Sequence, residues 1–480
     1  MNIFNPLKRS SILFILYVFT TSPIQSKEAT DSGKLYPTQI HKVIYPKNIE
    51  TVQKIVKEAQ SNKQQISIAG ARHSQGGHSN IEGGLQIDLK HMNKLLQLDA
   101  KHKTVTVQAG MTWEQLQDQL QPHGLSIKIM QASNIFSIGG SISTNVHGRD
   151  PRFGPLIESI KSCKIITPSG DIKIVSPKQN SELFSLVVGG YGLFGIIVEA
   201  TLSVTTNAMC SKEQKTLTPH QYLSFFQEEV LHNPHVQLHY GRVNTTPGRK
   251  FCNEILAISY IATKTPPTII PLKKEKHIGF NQWLFGVYRK QWGKITNYIK
   301  WMLEKYLHAP WENSKETSRN QLMRPYIHCL ENKDPKSTDL LQEYFVPLQH
   351  FEKFMQDLKA ASEFYQIKLL NTTLRYVPAN DQSFLSYSTQ DSMAFVLYFV
   401  TDVSTEQLET VKQFTQMLTN SCLKYKGTFY LPYQQFATEK QLLEAYPQLP
   451  MFIQKKQNFD PNKIFMNNWY QHYITKLLTQ

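Results

Sequence analysis

The stretch "ISIAGARHSQGGHS", residues 66–79, sends a short apolar run into a loop that holds three glycines, an arginine and two histidines. The run reads as a strand, and residues 48–60 before it set Ile49, Val52, Ile55, Val56 and Ala59 at helical spacing. Glycine at 70, 76 and 77 lets the main chain turn tightly and bring its N–H groups against a phosphate, because no Cβ stands in the way. One such loop alone is most often a plain turn. A second stretch, "SIGGSISTNVHGRDPRFGP" at 137–155, repeats the pattern: Gly139 and Gly140 open the backbone, Ser141, Ser143 and Thr144 add hydroxyls, and His147-Gly148 follows. Two glycine-rich donor loops in one α+β region suit a dinucleotide gripped from two sides.

The whole chain sets the outer limits. Its 480 residues, 40% of them hydrophobic, can bury a large core and fill two or three domains. The net charge of +15 is spread along the chain, which reads as a solvated basic surface and not as a nucleic-acid footprint. At the N-terminus Lys8 and Arg9 precede an apolar stretch at 12–19 and then small and polar residues, the layout of a secretory signal with cleavage near Ser26. The expectation is an exported protein, periplasmic or secreted, with 1–26 removed; Ile24 is a poor signal-peptidase position, so a tethered form stays open. Five cysteines without a CxxC identify no disulfide pair and no metal cluster.

Further along, "TWEQLQDQL" at 112–120 has capping-box spacing between Thr112 and Gln115, with Trp113, Leu116 and Leu120 on one face. Gly190, Gly192 and Gly195 form a GxGxxG, but a nicotinamide fingerprint needs a helix to start at the last glycine. The next residues, "IIVEATLSV", are β-branched at near-alternating spacing and predict a strand, which removes the Rossmann reading. His73 and His78 lack both helical spacing and a nearby acidic or cysteine ligand, so no metal site is assigned. From 208 to about 425 the texture changes. There, residues 280–311 hold four of the six tryptophans, and Leu284, Tyr288, Trp292, Ile295, Ile299, Met302 and Tyr306 form an apolar helical face flanked by lysine and arginine. Packing on its own domain is the favoured reading for this helix, and a membrane-surface contact through 283–306 is the alternative.

The stretches "GARHSQGGHS", "SIGGSISTNVHGRD" and "TPSGDIKIVSPKQNSELFSLVVGGYGLFGIIVEATL" together resemble the flavin-binding domain of the vanillyl-alcohol-oxidase superfamily, in family order across residues 40–205. Decaprenylphosphoryl-ribose oxidase and the aldonolactone and alditol oxidases are the nearest groups recognised. "KGTFYLPYQQFATEKQLLEAYPQLPMFIQKKQNFDPNKIF", residues 426–465, resembles the closing segment of that group. The resemblance implies an α+β fold: a PCMH-type FAD-binding domain of two subdomains at 27–207, an antiparallel-sheet substrate domain at 208–425, and a segment at 426–480 that returns to the first.

It also implies FAD contacts at Gly70, Ala71, Arg72, His73, Ser74, Ser137, Gly139, Gly140, Ser143, His147, Gly192 and Ile197. A histidine in the place of His73 is often bonded covalently to the flavin in that family, and imidazole is a nucleophile suited to it. Val146, bulky before the His-Gly pair, favours an electron acceptor other than oxygen, although oxygen, a quinone and other carriers all stay open. On the substrate side "LLNTTLRYVPAND" resembles the strand that sets a basic residue, here Arg375, over the flavin. The alditol oxidases carry a glutamate two residues earlier, where this chain has Thr373, and the decaprenylphosphoryl-ribose oxidases carry a lysine where it has Tyr433. The candidate catalytic groups are therefore Arg375, Tyr433 and Gln434. The expected reaction is FAD-dependent oxidation of a CH–OH group on a small sugar, polyol or aldonolactone. A flavin-fold binding protein without turnover and a zinc hydrolase using His73, His78 and His147 are the rival readings.

Overall fold

The computed structural model describes residues 27–267, 269–274, 293–307, 316–325, 332 and 334–475. The expected signal at 1–26 lies outside the described residues.

Local patterning builds the N-terminal region. Helix Ile49–Ser61 buries Val52, Ile55, Val56 and Ala59 and is capped by Asn48, whose side chain accepts from the Thr51 N–H. It carries the chain from Lys42–Ile44 to Ile66–Ala69, and both strands run parallel to Leu85–Asp88 between them. Parallel neighbours require a crossover of this kind. The open edge of this small sheet takes the C-terminal segment: Ile464 O accepts from the Ile66 N–H, and the Met466 N–H donates back to Ile66 O. A second, antiparallel sheet of six strands has Ile196–Thr206 between Ile160–Ile166 and Thr104–Gln108. That strand begins directly after the GxGxxG, as its β-branched residues predict.

The chain then builds an eight-stranded sheet in the order Thr317–Ser318, Met209–Leu217, Ile255–Ala262, Val236–Val243, Leu369–Val377, Ser392–Asp402, Ser337–Pro347, Thr428–Phe429, with every neighbour antiparallel. Helices Phe351–Phe364 and Thr405–Lys424 pack together and bury Phe354, Leu358, Phe414 and Leu418. Side chains alternate along each strand, so the sheet keeps a second face for other work. Glu343, Val396, Thr373 and Arg242 stand opposite one another across four adjacent strands and so share a face. A fully buried Arg319 ties the two halves of the molecule: its guanidinium donates to Asp150 at 2.8 Å and to the carbonyls of Gln237, Ile127 and Lys128.

One helix differs from its expected packing. In Gly293–Met302 the side chains are described from 297 onward, which leaves out Ile295 of the expected face: Asn297 and Trp301 are buried, whereas Ile299 is half-exposed, as are Tyr298, Leu303 and Tyr306. Trp301 packs on Leu256 and Ile258 and donates its indole N–H to Glu254, a larger gain in burial than Ile299 offers, and this turns the predicted stripe outward. Leu284, Tyr288 and Trp292 lie outside the described residues. Cys163, Cys210, Cys252 and Cys422 are buried free thiols, and Cys329 lies outside the described residues.

Candidate functional site

The strand Ile66–Ala69 delivers the 70–79 loop against helix Ile138–Ser143 and its flanks. The two approach so closely that a Cβ on Gly70 would lie 2.0 Å from Ser137 Oγ. Gly192, with φ +78, holds the left-handed turn that precedes Ile196–Thr206. Arg72 takes φ +57, and its guanidinium pairs with Asp88 at 2.7 Å and with Gln86 on the neighbouring strand, which makes its side chain a strut for the loop. The N-terminal segment clamps the same loop from outside. Ser32 donates to the carbonyls of His73 and Ser74, while Asp31 accepts from the Gly77 and Gly33 N–H groups. Burial pushes the Asp31 carboxyl up to about 6, partly offset by those donors.

All twelve positions implied by the family resemblance line one cavity, shared between the two donor loops and the face of the eight-stranded sheet. The histidines there do separate things. His73 packs on Phe136 with ring centres 4.3 Å apart. His78 stacks on Trp469, and burial pushes its imidazole down to about 3, so the ring is neutral. His147 faces Glu343. Among the described residues no group of three or more His, Cys, Asp and Glu side chains is arranged to hold a metal ion.

The eight-stranded sheet closes the cavity with Leu341, Glu343 and Arg375, joined by Tyr430, Pro432 and Tyr433 from the segment after its last strand. His147 Nε2 lies 2.6 Å from Glu343 Oε1, and the Tyr433 hydroxyl donates to Glu343 Oε2 at 3.4 Å. Burial raises the Glu343 carboxyl, but the charge and hydrogen bond of His147 and the charge of Arg375 outweigh it, and the group sits below the usual carboxylate range. Tyr433 is pushed well above 10 by burial and by the Glu343 charge, so its phenol keeps its proton. Arg375 is half-buried at the cavity wall, and its Nε has no hydrogen-bond partner among the described residues.

Of the three candidate catalytic groups, Arg375 and Tyr433 meet at this wall. Gln434 does not line the cavity. It is buried behind it, donating to the Gln75 carbonyl, because its side chain fills the space beside Gly33. Sequence reasoning missed Glu343 and Asp31. The signal for Glu343 was a lone acid inside the apolar strand "LLQEYFVP". It stands in the same row as Thr373, across Val396, so the carboxylate missing at 373 is supplied two strands away, about 10 Å sideways.

These features fit FAD: a cradle of two loops with no room for a Cβ at Gly70, a buried Ser137 Oγ without a partner among the described residues, and the Arg375 guanidinium, its buried Nε likewise unpartnered among them, at the opposite wall. The residues of the cradle would hold the pyrophosphate through main-chain N–H groups, and the sheet wall would face the ring.

Comparison with known proteins agrees. Residues 40–176 match the family model described as FAD binding domain, and residues 278–473 match that of D-arabinono-1,4-lactone oxidase. Over 183 residues the chain is 32% identical to the mitochondrial L-galactono-1,4-lactone dehydrogenase of Arabidopsis thaliana, covering 38% of this chain and 29% of that protein. It is 29% identical over 189 residues to decaprenylphosphoryl-beta-D-ribose oxidase of Mycolicibacterium smegmatis, covering 39% and 41%, and 32% identical over 158 residues to a putative D-arabinono-1,4-lactone oxidase of Neurospora crassa, covering 33% and 28%. The matched stretch spans less than half the length of each of these relatives. The chain thus carries an FAD-binding domain of the PCMH type at 40–176, followed at 278–473 by a region similar to D-arabinono-1,4-lactone oxidase.

Proposed function

We propose that the chain is an FAD-dependent oxidoreductase that converts a CH–OH group of a sugar, polyol or aldonolactone to the carbonyl. The observation that carries this reading is the meeting of Glu343, His147, Tyr433 and Arg375 in one wall of the cavity that the two donor loops enclose. When bound there, FAD supplies a two-electron acceptor for the hydride that leaves the carbon. The proton of the hydroxyl goes to the Glu343 carboxylate, directly or through the Tyr433 hydroxyl, since a low pKa keeps the carboxylate ionised and ready to accept. Tyr433, protonated throughout, orients and relays and is not itself the base. Arg375 opposes the negative charge that develops on the substrate oxygen, in a site where little water screens it. The electrons leave to oxygen, a quinone or another carrier, and the buried Val146 in the cavity wall favours the latter two.

Anaerobic mixing of the purified, flavin-loaded chain with an aldonolactone, a polyol and a free sugar tests the reading. Bleaching of the flavin absorbance by at least one of them, or by D-gluconate or D-ribose 5-phosphate, is expected, and a spectrum unmoved by all five overturns it.

The same proposal includes a covalent bond from a His73 ring nitrogen to the flavin 8α-methyl carbon. The bond replaces one imidazole N–H and one methyl C–H, and the two electrons released pass to the external acceptor. Acid precipitation of the native chain should carry the colour into the pellet. His73→Ala should release it to the supernatant with the fold intact by circular dichroism. Colour released from the native chain refutes the bond.

A further inference from the structure

Beyond the flavin wall the same face of the sheet gathers positive charge. Arg242 stands opposite Thr373, two residues from Arg375 on the adjacent strand, and Arg149 follows His147 by two residues. Arg149 and Arg242 both lie against the ring of Tyr240, with their guanidinium carbons 5.4 and 5.6 Å from its centre, and both raise the positive potential felt by Arg375. Lys300, half-buried on the helix that crosses this face, also feels the charge of Arg242, but it is paired with Glu304 at 3.6 Å. The bonds these guanidiniums make are to neutral acceptors: Arg149 to the Leu322 carbonyl and Arg242 to Thr373 Oγ1. Among the described residues none of Arg149, Arg242 and Arg375 has a carboxylate within 4 Å, and the one acid that faces Arg375, Glu343, is engaged by His147.

Three half-buried guanidiniums gathered on one face of the sheet, Arg375 at the cavity wall and Arg149 and Arg242 beside it, repel one another, and each keeps most of its five N–H donors unused. Partial burial makes such an arrangement costly unless an anion completes it. Arginine in this setting matches the planar, two-oxygen edge of a carboxylate or phosphate.

We infer that Arg149 and Arg242 form an anion-recognition site beside the reacting carbon, so that the substrate is an alcohol that also carries a carboxylate or phosphate: a sugar acid, a hydroxy acid or a phosphorylated sugar, in preference to an uncharged lactone or polyol. The inference rests on the proposed oxidoreductase reading and narrows its substrate class. Arg375 and Glu343 remain the groups at the C–OH, while Arg149 and Arg242 fix the far end of the molecule and thereby its angle of entry.

The test uses the flavin-loaded full chain at low, constant ionic strength, with two matched pairs of probes: D-gluconate against sorbitol, and D-ribose 5-phosphate against D-ribose. Equilibrium binding is read as the perturbation of the flavin spectrum and as the shift in melting temperature. Malonate and inorganic phosphate serve as anions that cannot be oxidised. The charged member of at least one pair should bind about tenfold more tightly or better, and the pair that discriminates says whether carboxylate or phosphate is preferred. Arg149→Gln and Arg242→Gln, at native flavin content, should bring that ratio close to one, and added salt should weaken it in the native chain. Charged and uncharged probes binding within twofold of each other, or a preference that survives both substitutions, overturns the inference. A neutral lactone that bleaches the flavin while malonate and phosphate fail to bind sinks the anion site and leaves the oxidoreductase reading standing. Anions that bind without any alcohol bleaching the flavin do the reverse.

Discussion

Glu343→Gln is expected to slow anaerobic flavin bleaching by about 10²- to 10⁴-fold, the usual worth of a positioned proton acceptor, with flavin content unchanged. The substitution keeps the shape of the side chain and one hydrogen-bond acceptor for His147 Nε2, so packing around the pair at 2.6 Å is preserved. What it removes is the charge. A neutral amide cannot take the hydroxyl proton, and it no longer opposes the Arg375 guanidinium. The pH behaviour separates this role from a merely structural one. The Glu343 pKa lies below the ordinary carboxylate value in the folded chain, so its ionised form is favoured by folding. The stability it contributes is therefore present above the unfolded carboxylate pKa of about 4.3 and is lost as pH falls through the lower folded value. In the native chain, bleaching should accordingly hold its rate from neutral pH down past 5, with no step near a normal glutamate pKa. Glu343→Gln should be slow across the whole range, without restoration at high pH. A variant that bleaches at near-native rate dismisses Glu343 as the base.

The sequence made the cradle legible and left the opposite wall obscure, for physical reasons. Gly70 with the crossover helix before it, and Gly139 and Gly140 with Ser137 and Ser143, form two compact stretches of chain, so the spacing within each carries its meaning. The same holds for Ile196–Thr206, where β-branched residues overrule a glycine motif that otherwise suggests a helix. Glu343 meets His147 across 196 residues of chain, and only the register of four strands shows that it stands in the row of Thr373. Periodicity gives no information at that range. Asp31 is hidden likewise, because its partners Gly33 and Gly77 are glycines whose main-chain N–H groups leave no trace in composition. The helix at Gly293–Met302 shows the opposite failure: its period was visible, but the large indole of Trp301 decided which side turned inward. Gln434 illustrates why a motif neighbour is a poor guide to chemistry. Tyr433 sits in the bend that follows Thr428–Phe429 and reaches the cavity, while Gln434 next to it reaches the Gln75 carbonyl behind the wall.

Gly70→Ala should empty the cradle of most of its flavin, measured as flavin per mole of purified chain, and the loss should be largely undone by adding Ser137→Ala. A methyl at position 70 would fall 2.0 Å from Ser137 Oγ, far inside any real contact, and the next atoms are Ser137 Cβ at 3.2 Å and the Gly140 nitrogen at 3.8 Å. Something must move: either the Ser137 hydroxyl turns about χ1 into the space the nucleotide would fill, or the 70–79 loop swings away from the helix at Ile138–Ser143 and separates the N–H groups that have to converge on one pyrophosphate. A shift of about 1 Å in such donors is enough to cost on the order of 10²-fold in a positioned interaction. Deleting the Ser137 hydroxyl removes the 2.0 Å clash and leaves 3.2 Å to its Cβ, a contact that a few tenths of an ångström of adjustment relieves. Ser137→Ala alone costs far less, since that hydroxyl has no hydrogen-bond partner within the chain and contributes at most one bond to the bound nucleotide. The single and double variants thus form a cycle whose coupling energy reports the closeness of the two loops. Equal flavin loss in Gly70→Ala and in the double variant, with both chains folded, means that the loops do not meet around one ligand, and the shared cradle from which the rest of the site is built would have to be abandoned.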